Sequence, residues 1–243
     1  MNKVRHIGMI MDGNGRWAQL RRKPRTFGHI KGARTAKKII TACSQMGIEN
    51  LTLYAFSTEN WLRPQAEVNF LMHLLRRYLK RESENLVKEN IQFRAIGEVE
   101  RLPADLVNAI REVTQATQHC TGLKLTFAIS YGSRQEIVHA VQKIASKVQK
   151  NLLTVEQISE TLVSQHMETY PACDPDLIIR TSGEQRLSNF LLWQSAYSEF
   201  CFTDTLWPDF SKEELIAIIT DFNSRERRFG KTSPQIANEQ LIN

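Results

Sequence analysis

One carboxylate in this chain stands where a buried strand would end and an anion site begin. The apolar run Ile7-Gly8-Met9-Ile10-Met11 is followed at once by Asp12, Gly13, Asn14, Gly15, Arg16 and Trp17. Glycines at 13 and 15 can take backbone angles closed to other residues, so successive amide N–H groups can turn toward one ligand. A helix opening near Arg16 would add its positive end. That arrangement suits a phosphate group. Asp12 would repel the same phosphate unless a divalent cation lay between them, which points to Mg²⁺, a cation bound through few carboxylates together with substrate phosphates.

Two other phosphate-binding patterns need comparison. Gly13-x-Gly15-x-x-Ala18 fits the relaxed dinucleotide-binding fingerprint, which expects an acidic residue about 20 positions on. That region, His29 to Arg34, is basic, and the first acid at a strand end is the distant Glu59. No G-x-x-x-x-G-K-[ST] occurs, so the turn is not a P-loop. A strand ending in a glycine turn is also ordinary structure. The rest of the chain must therefore decide.

The elements that would position Asp12 alternate in type. Strand-like runs fall at His6–Met11, Asn50–Phe56, Ile91–Ile96, Lys124–Ile129, Asp176–Ile179 and Glu199–Phe202. Helical periodicity fills the intervals at Gly28–Met46, Gln65–Glu89, Pro103–His119, Arg134–Lys150, Val155–Met167, Ser188–Ala196 and Ser211–Arg225. This alternation predicts an α/β fold: one domain over residues 1–243, with a mostly parallel six-stranded sheet covered by helices on both faces. The polar tail after about 230 is expected to be flexible. With 243 residues, 42% of them hydrophobic, the chain can bury a full core.

The net charge of +6 favours anionic partners without choosing among phosphates, nucleic acid and membrane. Aromatic stacking motifs for single-stranded nucleic acid are not evident, so no nucleic-acid partner is expected. Cys43, Cys120, Cys173 and Cys201 show no C-x-x-C or zinc-type spacing and read as reduced thiols of a cytoplasmic protein. No apolar stretch approaches the ~20 residues needed to span a bilayer.

In a parallel sheet the loops after the strands share one edge, where open α/β folds bind ligands. Those loops carry Asp12–Arg16, Ser57–Pro64, Ser130–Arg134 and Arg180–Ser188. Arg16, Arg25, Arg63, Arg180 and Arg186 supply more fork-shaped donors than one phosphate group would need. The sequence asks for two polyanions in one crevice.

The runs MDGNGRW, FGHIKG, YAFSTENWLRP, YGSR, LIIRTSGEQRLSNFLLWQ and YSEF, in this order over nearly the whole chain, resemble the cis-prenyltransferase family. The resemblance implies a homodimeric enzyme that adds isopentenyl diphosphate units to an allylic starter such as farnesyl diphosphate. The implied product is a long-chain polyprenyl diphosphate, the precursor of a lipid carrier for cell-wall glycan synthesis, and the implied cofactor is Mg²⁺. Cytoplasmic location with a peripheral membrane contact for product release fits the same picture.

Carried over residue by residue, the resemblance makes Asp12 and Asn60 catalytic, with Asn60 tied to proton removal, and gives Mg²⁺ to Asp12 and Glu199. Gly13, Asn14, Gly15, Arg16, Arg25 and His29 would hold the allylic diphosphate, with Trp17 bordering the prenyl chain. Ser57, Thr58, Glu59, Trp61 and Arg63 match the family's second substrate loop. Arg180, Arg186, Leu187 and Ser188 match its isopentenyl diphosphate contacts, and Arg228 and Gly230 match a tail that reaches the neighbouring subunit's diphosphate. Gln185 stands where some members carry His, and Ser182 where they carry Gly; a glutamine cannot relay a proton. The helix at 65–89 carries Val68, Leu71, Met72, Leu75 and Leu79 at helical spacing. The resemblance makes it one wall of a hydrophobic tunnel between sheet and helices, with Ala55 and Leu123 at positions that affect chain length. A non-catalytic binding subunit and a dinucleotide- or nucleic-acid-binding protein are the competing classes.

Overall fold

Six strands, buried at the centre of the sheet and more exposed at its edges, form the frame. The computed structural model describes residues 3–225. The strands are β1 (His6–Ile10), β2 (Asn50–Ser57), β3 (Gln92–Ile96), β4 (Lys124–Tyr131), β5 (Leu177–Arg180) and β6 (Glu199–Phe202). They lie in the order β3-β4-β2-β1-β5-β6, and every pairing is parallel. β1 is buried at all five positions, as expected of a central strand covered on both faces. The helices are α1 (Asn14–Leu20), α2 (Arg25–Gln45), α3 (Gln65–Lys88), α4 (Ala104–Thr117), α5 (Ser133–Gln149), α6 (Glu160–His166) and α7 (Lys212–Ser224).

The two faces of the sheet are covered unequally. On one, Ile7, Met9, Leu51, Leu53 and Phe127 pack in a continuous core with Ile39 of α2, Leu79 of α3, Ile110 of α4 and Leu215 of α7. On the other, Ile10, Tyr54, Ile96, Ala128, Tyr131 and Ile178 meet Phe190 and Leu191. α5 is tied to this second layer through Glu136, which accepts from Tyr131 Oη and Gln194 Nε2.

Phe190 and Leu191 belong to the stretch Ser188–Ala196, which its periodicity predicts to be helical. The chain there is a run of turns instead, with Ser188, Asn189 and Leu191 all at positive φ. Its polar groups are drawn into tertiary bonds: Asn189 C=O accepts from Ser133 N–H, and Leu192 N–H donates to Ser133 Oγ. The predicted helix Val155–Met167 is likewise broken, into a 3₁₀ turn (Val155–Gln157) and the shorter α6, which begins at the Ser159 cap. β4 runs two residues past its expected end, carrying Ser130 and Tyr131 to the edge where the loops meet.

At the amino end of β1 His6 is fully buried. Its Nδ1 lies 2.6 Å from Cys173 O, which can only accept, so Nδ1 carries the proton and Nε2 accepts from Thr52 Oγ1 at 2.8 Å. Burial pushes its pKa down to about 4, against smaller opposing effects from the Cys173 carbonyl and Asp176. The unfolded chain therefore takes up this proton first. Stability from neutral His6 is present above pH ~6.5 and is lost as pH falls toward 4. Urea unfolding should show a loss of about 2 kcal/mol between pH 7 and pH 5 from this group, and His6→Gln should be less stable at pH 7 but flatter over that interval. A variant with the wild-type slope would remove His6 as the source.

Candidate active site

Asp12 leaves the carboxyl end of β1 and is locked at its backbone by Thr181. The Thr181 hydroxyl is 3.0 Å from Asp12 N and 2.7 Å from Asp12 O. Gly13 takes the next turn at φ 102°, a left-handed angle that favours glycine, and donates its N–H to Asp12 Oδ1 at 2.6 Å. Asp12 Oδ2 accepts from Arg180 Nη2 at 2.9 Å and has Arg16 Nη2 at 3.6 Å. Partial burial raises the Asp12 pKa, but the Arg180 bond, the Gly13 amide and the two guanidinium charges outweigh it and hold the carboxyl below its ordinary value. The group is ionised at neutral pH.

Arg180 ends β5 with its side chain only 4% exposed. It donates through Nη1 to Arg186 O at 2.6 Å and Ser188 Oγ at 2.7 Å, while its buried Nε has no hydrogen-bond partner. Arg16 donates to Ser182 O and, at 2.6 Å, to Ser182 Oγ. Ser182 sits at φ 80°, where glycine would be free of strain, and its hydroxyl gives Arg16 a bond that glycine lacks. Glu184 joins Arg16 at 3.2 Å to Arg186.

A second cationic group faces this one. Arg25 Nε, His29 Nε2 and Arg63 Nη1 stand 3.4, 3.6 and 3.2 Å from the Glu67 carboxylate. Burial, then the Arg63 charge, push the His29 pKa down to about 4 against the pull of Glu67, so the ring is neutral at pH 7. α2 reaches this position because Gly28 lets it close on α1: a Cβ there would fall 1.9 Å from Asn14 O. Sequence reading missed Glu67. A carboxylate in the first turn after Pro64 reads simply as a helix-start signal.

Between the two groups opens a cavity of about 400 Å³. Asp12, Gly13, Asn14, Gly15, Arg25, His29, Ser57, Asn60, Arg63, Arg180, Arg186 and Ser188 line its polar part. Ala33 and Ala36 of α2, Ala55 and Phe56 of β2, Leu71, Met72, Leu74, Leu75 and Tyr78 of α3, and Phe127 of β4 line its apolar part. Ala55 sits in a bulge: Tyr54 pairs with Ala128 and Phe56 with Ile129, leaving Ala55 without an opposite residue. Both Ala55 and Phe56 consequently pack toward the helical core. Asn60 is held by a capping box with Ser57 at the turn Thr58–Leu62.

Several predicted residues are placed elsewhere. Trp17 does not border the cavity; α1 buries it elsewhere, where Nε1 donates to Asp209 and the ring stacks on Phe27. Trp61 packs edge-on against Phe56 and donates to Ser130 Oγ, outside the lining. Glu59 and Leu187 line a more open neighbouring depression that shares Ser188 with the cavity, and Thr58 lines neither. Val68 and Leu79 of α3, and Leu123, belong to the core rather than to the cavity wall.

Glu199 opens β6 opposite Leu177, three residues or ~10 Å below the level of Arg180. There it pairs with Arg225 at 2.9 Å, so one chain does not bring Glu199 to Asp12. Arg228 and Gly230 lie outside the described residues. No group of three or more His, Cys, Asp or Glu side chains able to hold a metal occurs among the described residues.

Residues 10–230 match the family model described as putative undecaprenyl diphosphate synthase. The chain belongs to this family of prenyl transferases. It is 50% identical to an isoprenyl transferase of Staphylococcus saprophyticus over 94% of its own length and 90% of that protein's, and 46% identical to one of Chlorobaculum tepidum over 98% and 89%. Its fold is similar to that of lavandulyl diphosphate synthase from Lavandula x intermedia, solved in complex with dimethylallyl diphosphate, with a TM-score of 0.92 and 39% identity over 94% of this chain and 99% of that one. A probable undecaprenyl diphosphate synthase from Campylobacter jejuni gives a TM-score of 0.79 and 39% identity over 95% and 100%. The chain is an enzyme of prenyl transfer, not an accessory subunit or a dinucleotide-binding protein.

Glu67 supplies a counter-charge to the prenyl transferase's second cationic group. Because Arg25 and Arg63 are a third to a half exposed, the stability involved is under about 1 kcal/mol, and Glu67→Gln should lower Tm by no more than about 2–4 °C. Added pyrophosphate should raise the variant's Tm more than that of the parent, because the ligand takes the place of the missing anion. Equal protection in thermal melts would show that the cluster does not depend on Glu67 for its charge balance.

Proposed function

We propose that this prenyl transferase condenses isopentenyl diphosphate repeatedly with an allylic diphosphate, farnesyl diphosphate in particular. Each addition forms a cis double bond, giving a long polyprenyl diphosphate used as a lipid-carrier precursor in cell-wall glycan synthesis. The observation that carries the reading is one cavity with arginines at one part and a mostly aliphatic and aromatic lining at the other. Such a cavity suits a molecule with a diphosphate head and an isoprenoid tail. The likeness to a structure holding dimethylallyl diphosphate supports the allylic half of the assignment.

The two cationic groups divide the work. Arg25, Asn14, Gly15 and the neutral His29 would receive the allylic diphosphate, with Arg16 beside them. Arg180, Arg186 and Ser188 would receive that of isopentenyl diphosphate. Breaking the allylic C–O bond leaves negative charge on diphosphate and positive charge on the allyl fragment. Guanidinium donors stabilise the first, and the dry wall of Ala55, Phe56 and Leu71 keeps water from capturing the second. The double bond of isopentenyl diphosphate then attacks the allyl carbon, and its C2 proton passes to an oxygen of the released diphosphate, with Asn60 close by on its capped turn.

The donor set fits Mg²⁺. Asp12 is ionised, partly exposed and has accepted only two hydrogen bonds, so carboxylate lone pairs remain, and Mg²⁺ is suited to one carboxylate plus substrate phosphates. Bound there, it would supply charge neutralisation on the diphosphate oxygens.

A homodimer fits the bare edge of the sheet. Phe200 and Phe202 of β6 stack at 6.2 Å on the poorly covered face and remain 40% and 38% exposed, an edge that a second copy would cover. No helix among the described residues is long and apolar enough to cross a membrane, in keeping with a cytoplasmic enzyme that meets the bilayer from outside.

Incubation with labelled isopentenyl diphosphate, farnesyl diphosphate and Mg²⁺ should give a long-chain lipid diphosphate. Asp12→Ala should fold with a lowered Tm, because Arg180 loses its carboxylate partner, and turn over at about a hundredth or less of the parent's rate. No extractable labelled lipid from the parent chain, or a variant above about a tenth of its rate, would reject the reading. Ala55→Leu should shorten the product while leaving the first additions largely intact, because the bulge directs the larger side chain into the cavity, where overpacking costs ~1–3 kcal/mol. Chromatography of the lipids measures this; an unchanged length distribution would take Ala55 out of the chain's path.

A further inference from the structure

Charge is distributed very unevenly along this chain. From Gly13 to Ile48 there is no acidic residue and there are nine Lys or Arg, so a chain of net charge +6 is at −3 without that stretch. Arg25 lines the cavity and Arg16 stands 3.6 Å from Asp12, but Arg22 and Lys23, at the turn between α1 and α2, do not line the cavity. Their side chains are exposed and have no partner among the described residues.

The same turn carries apolar surface. Leu20 is 75% exposed and Phe27 36%. Phe27 stacks on Trp17 at 5.9 Å, Arg21 lies over the outer face of this pair at 4.2 Å from Trp17, and Lys31 lies 6.0 Å from the Phe27 ring. Leu62, 89% exposed, ends the turn that brings Arg63 to the Glu67 it shares with Arg25. Cations interleaved with exposed aliphatic and aromatic groups make a surface for the headgroup layer of an anionic bilayer, where long basic side chains pair with phosphates while short apolar ones enter the acyl boundary.

We propose that the turn joining α1 to α2, with Leu20, Arg22, Lys23, Phe27 and Lys31, docks this enzyme on an anionic phospholipid bilayer. The inference deepens the proposed function, resting on the reading of the neighbouring cavity as the path of a lipid product: docking there sets the cavity mouth against the phase into which that product must pass. A nucleic-acid partner fits less well. The two aromatic rings stack on each other rather than stand open for bases, and Leu20 and Leu62 offer nothing to a phosphate backbone.

Flotation of the purified full chain with phosphatidylcholine vesicles, with and without phosphatidylglycerol, tests the proposal. The enzyme should partition onto the phosphatidylglycerol vesicles and be released by high salt. Each basic residue near an anionic surface is worth roughly a fivefold factor, so Arg22→Glu with Lys23→Glu should weaken partition about 30-fold or more. Leu20→Ser should weaken it several-fold, with less change in its salt dependence. Both variants should keep the parent's rate for a single condensation in vesicle-free buffer. That rate is read separately, so its absence in the parent counts against the proposed function, and unaltered vesicle partition by the variants counts against the docking surface.

Equal binding to neutral vesicles would overturn the proposal. So would release by soluble glycerol phosphate at matched phosphate concentration, which would point to a headgroup-sized phosphate site. Retention of an oligonucleotide without vesicle binding would assign the patch to nucleic acid and reject it.

Discussion

A guanidinium buried to 4% exposure at the end of a strand is the constraint on which the rest of the site hangs. Arg180 cannot shed its charge, and leaving it unpaired in the interior would cost several kcal/mol. Asp12 answers it from β1, the neighbouring strand, at 2.9 Å. Arg180 Nη1 is met by Arg186 O and Ser188 Oγ, both on the irregular stretch after β5, while Nε stays without a partner. One side chain therefore fixes the proposed catalytic carboxylate, the loop that carries Arg186 and the start of the segment that covers the weaker face of the sheet. Chemistry and fold share the same ion pair, so loss of Arg180 would disturb both.

The cavity exists because the sheet is locally irregular. A regular strand would send Tyr54 and Phe56 to one face and Ala55 to the other. The bulge at Ala55 instead gives two successive residues to the helical side, one small and one large, directly beneath the turn that carries Asn60. Tyr54 stays on the opposite face, stacked on Phe190 at 4.6 Å with its hydroxyl on Tyr131 O and Ser188 O. The polar and apolar parts of the cavity thus meet at the end of one strand. That proximity is what a diphosphate ester with a hydrocarbon tail requires.

The anion groups are prepared electrostatically before any ligand arrives. Asp12 and Glu67 each stand among arginines, so the cationic side chains are held close together by carboxylates placed within hydrogen-bonding or near-contact distance. His29 is kept neutral by the same burial and the same arginine charges. Holding like charges together costs energy, and an arriving diphosphate relieves it. The acid-free stretch from Gly13 to Ile48 extends this field outward from the cavity to the surface of α1 and α2.

The parallel α/β frame follows from the order of residues alone, because continuous apolar strands alternating with amphipathic helices have few other ways to bury themselves. The same order brings Asp12 and the loops after β2 and β5 to one edge, since parallel strands put their carboxyl ends together. The family was legible in the motifs of those same loops. Tertiary structure alone decided what depends on the meeting of distant segments. Ser188–Ala196 has helical periodicity, yet bonds to α5 and the packing of Phe190 and Leu191 hold it as turns. Trp17 and Trp61 follow binding residues in sequence and point away from the cavity, because a helical or 3₁₀ step rotates each neighbour by about 100–120°. Glu199 lies near Arg180 in the sheet order but at the opposite end of its strand, a distance that no local pattern encodes. Glu67 became visible only when two arginines and the neutral His29, from α2 and the turn before α3, closed on it. Local periodicity specifies which face a residue prefers; the packing of elements far apart in sequence specifies what that face meets.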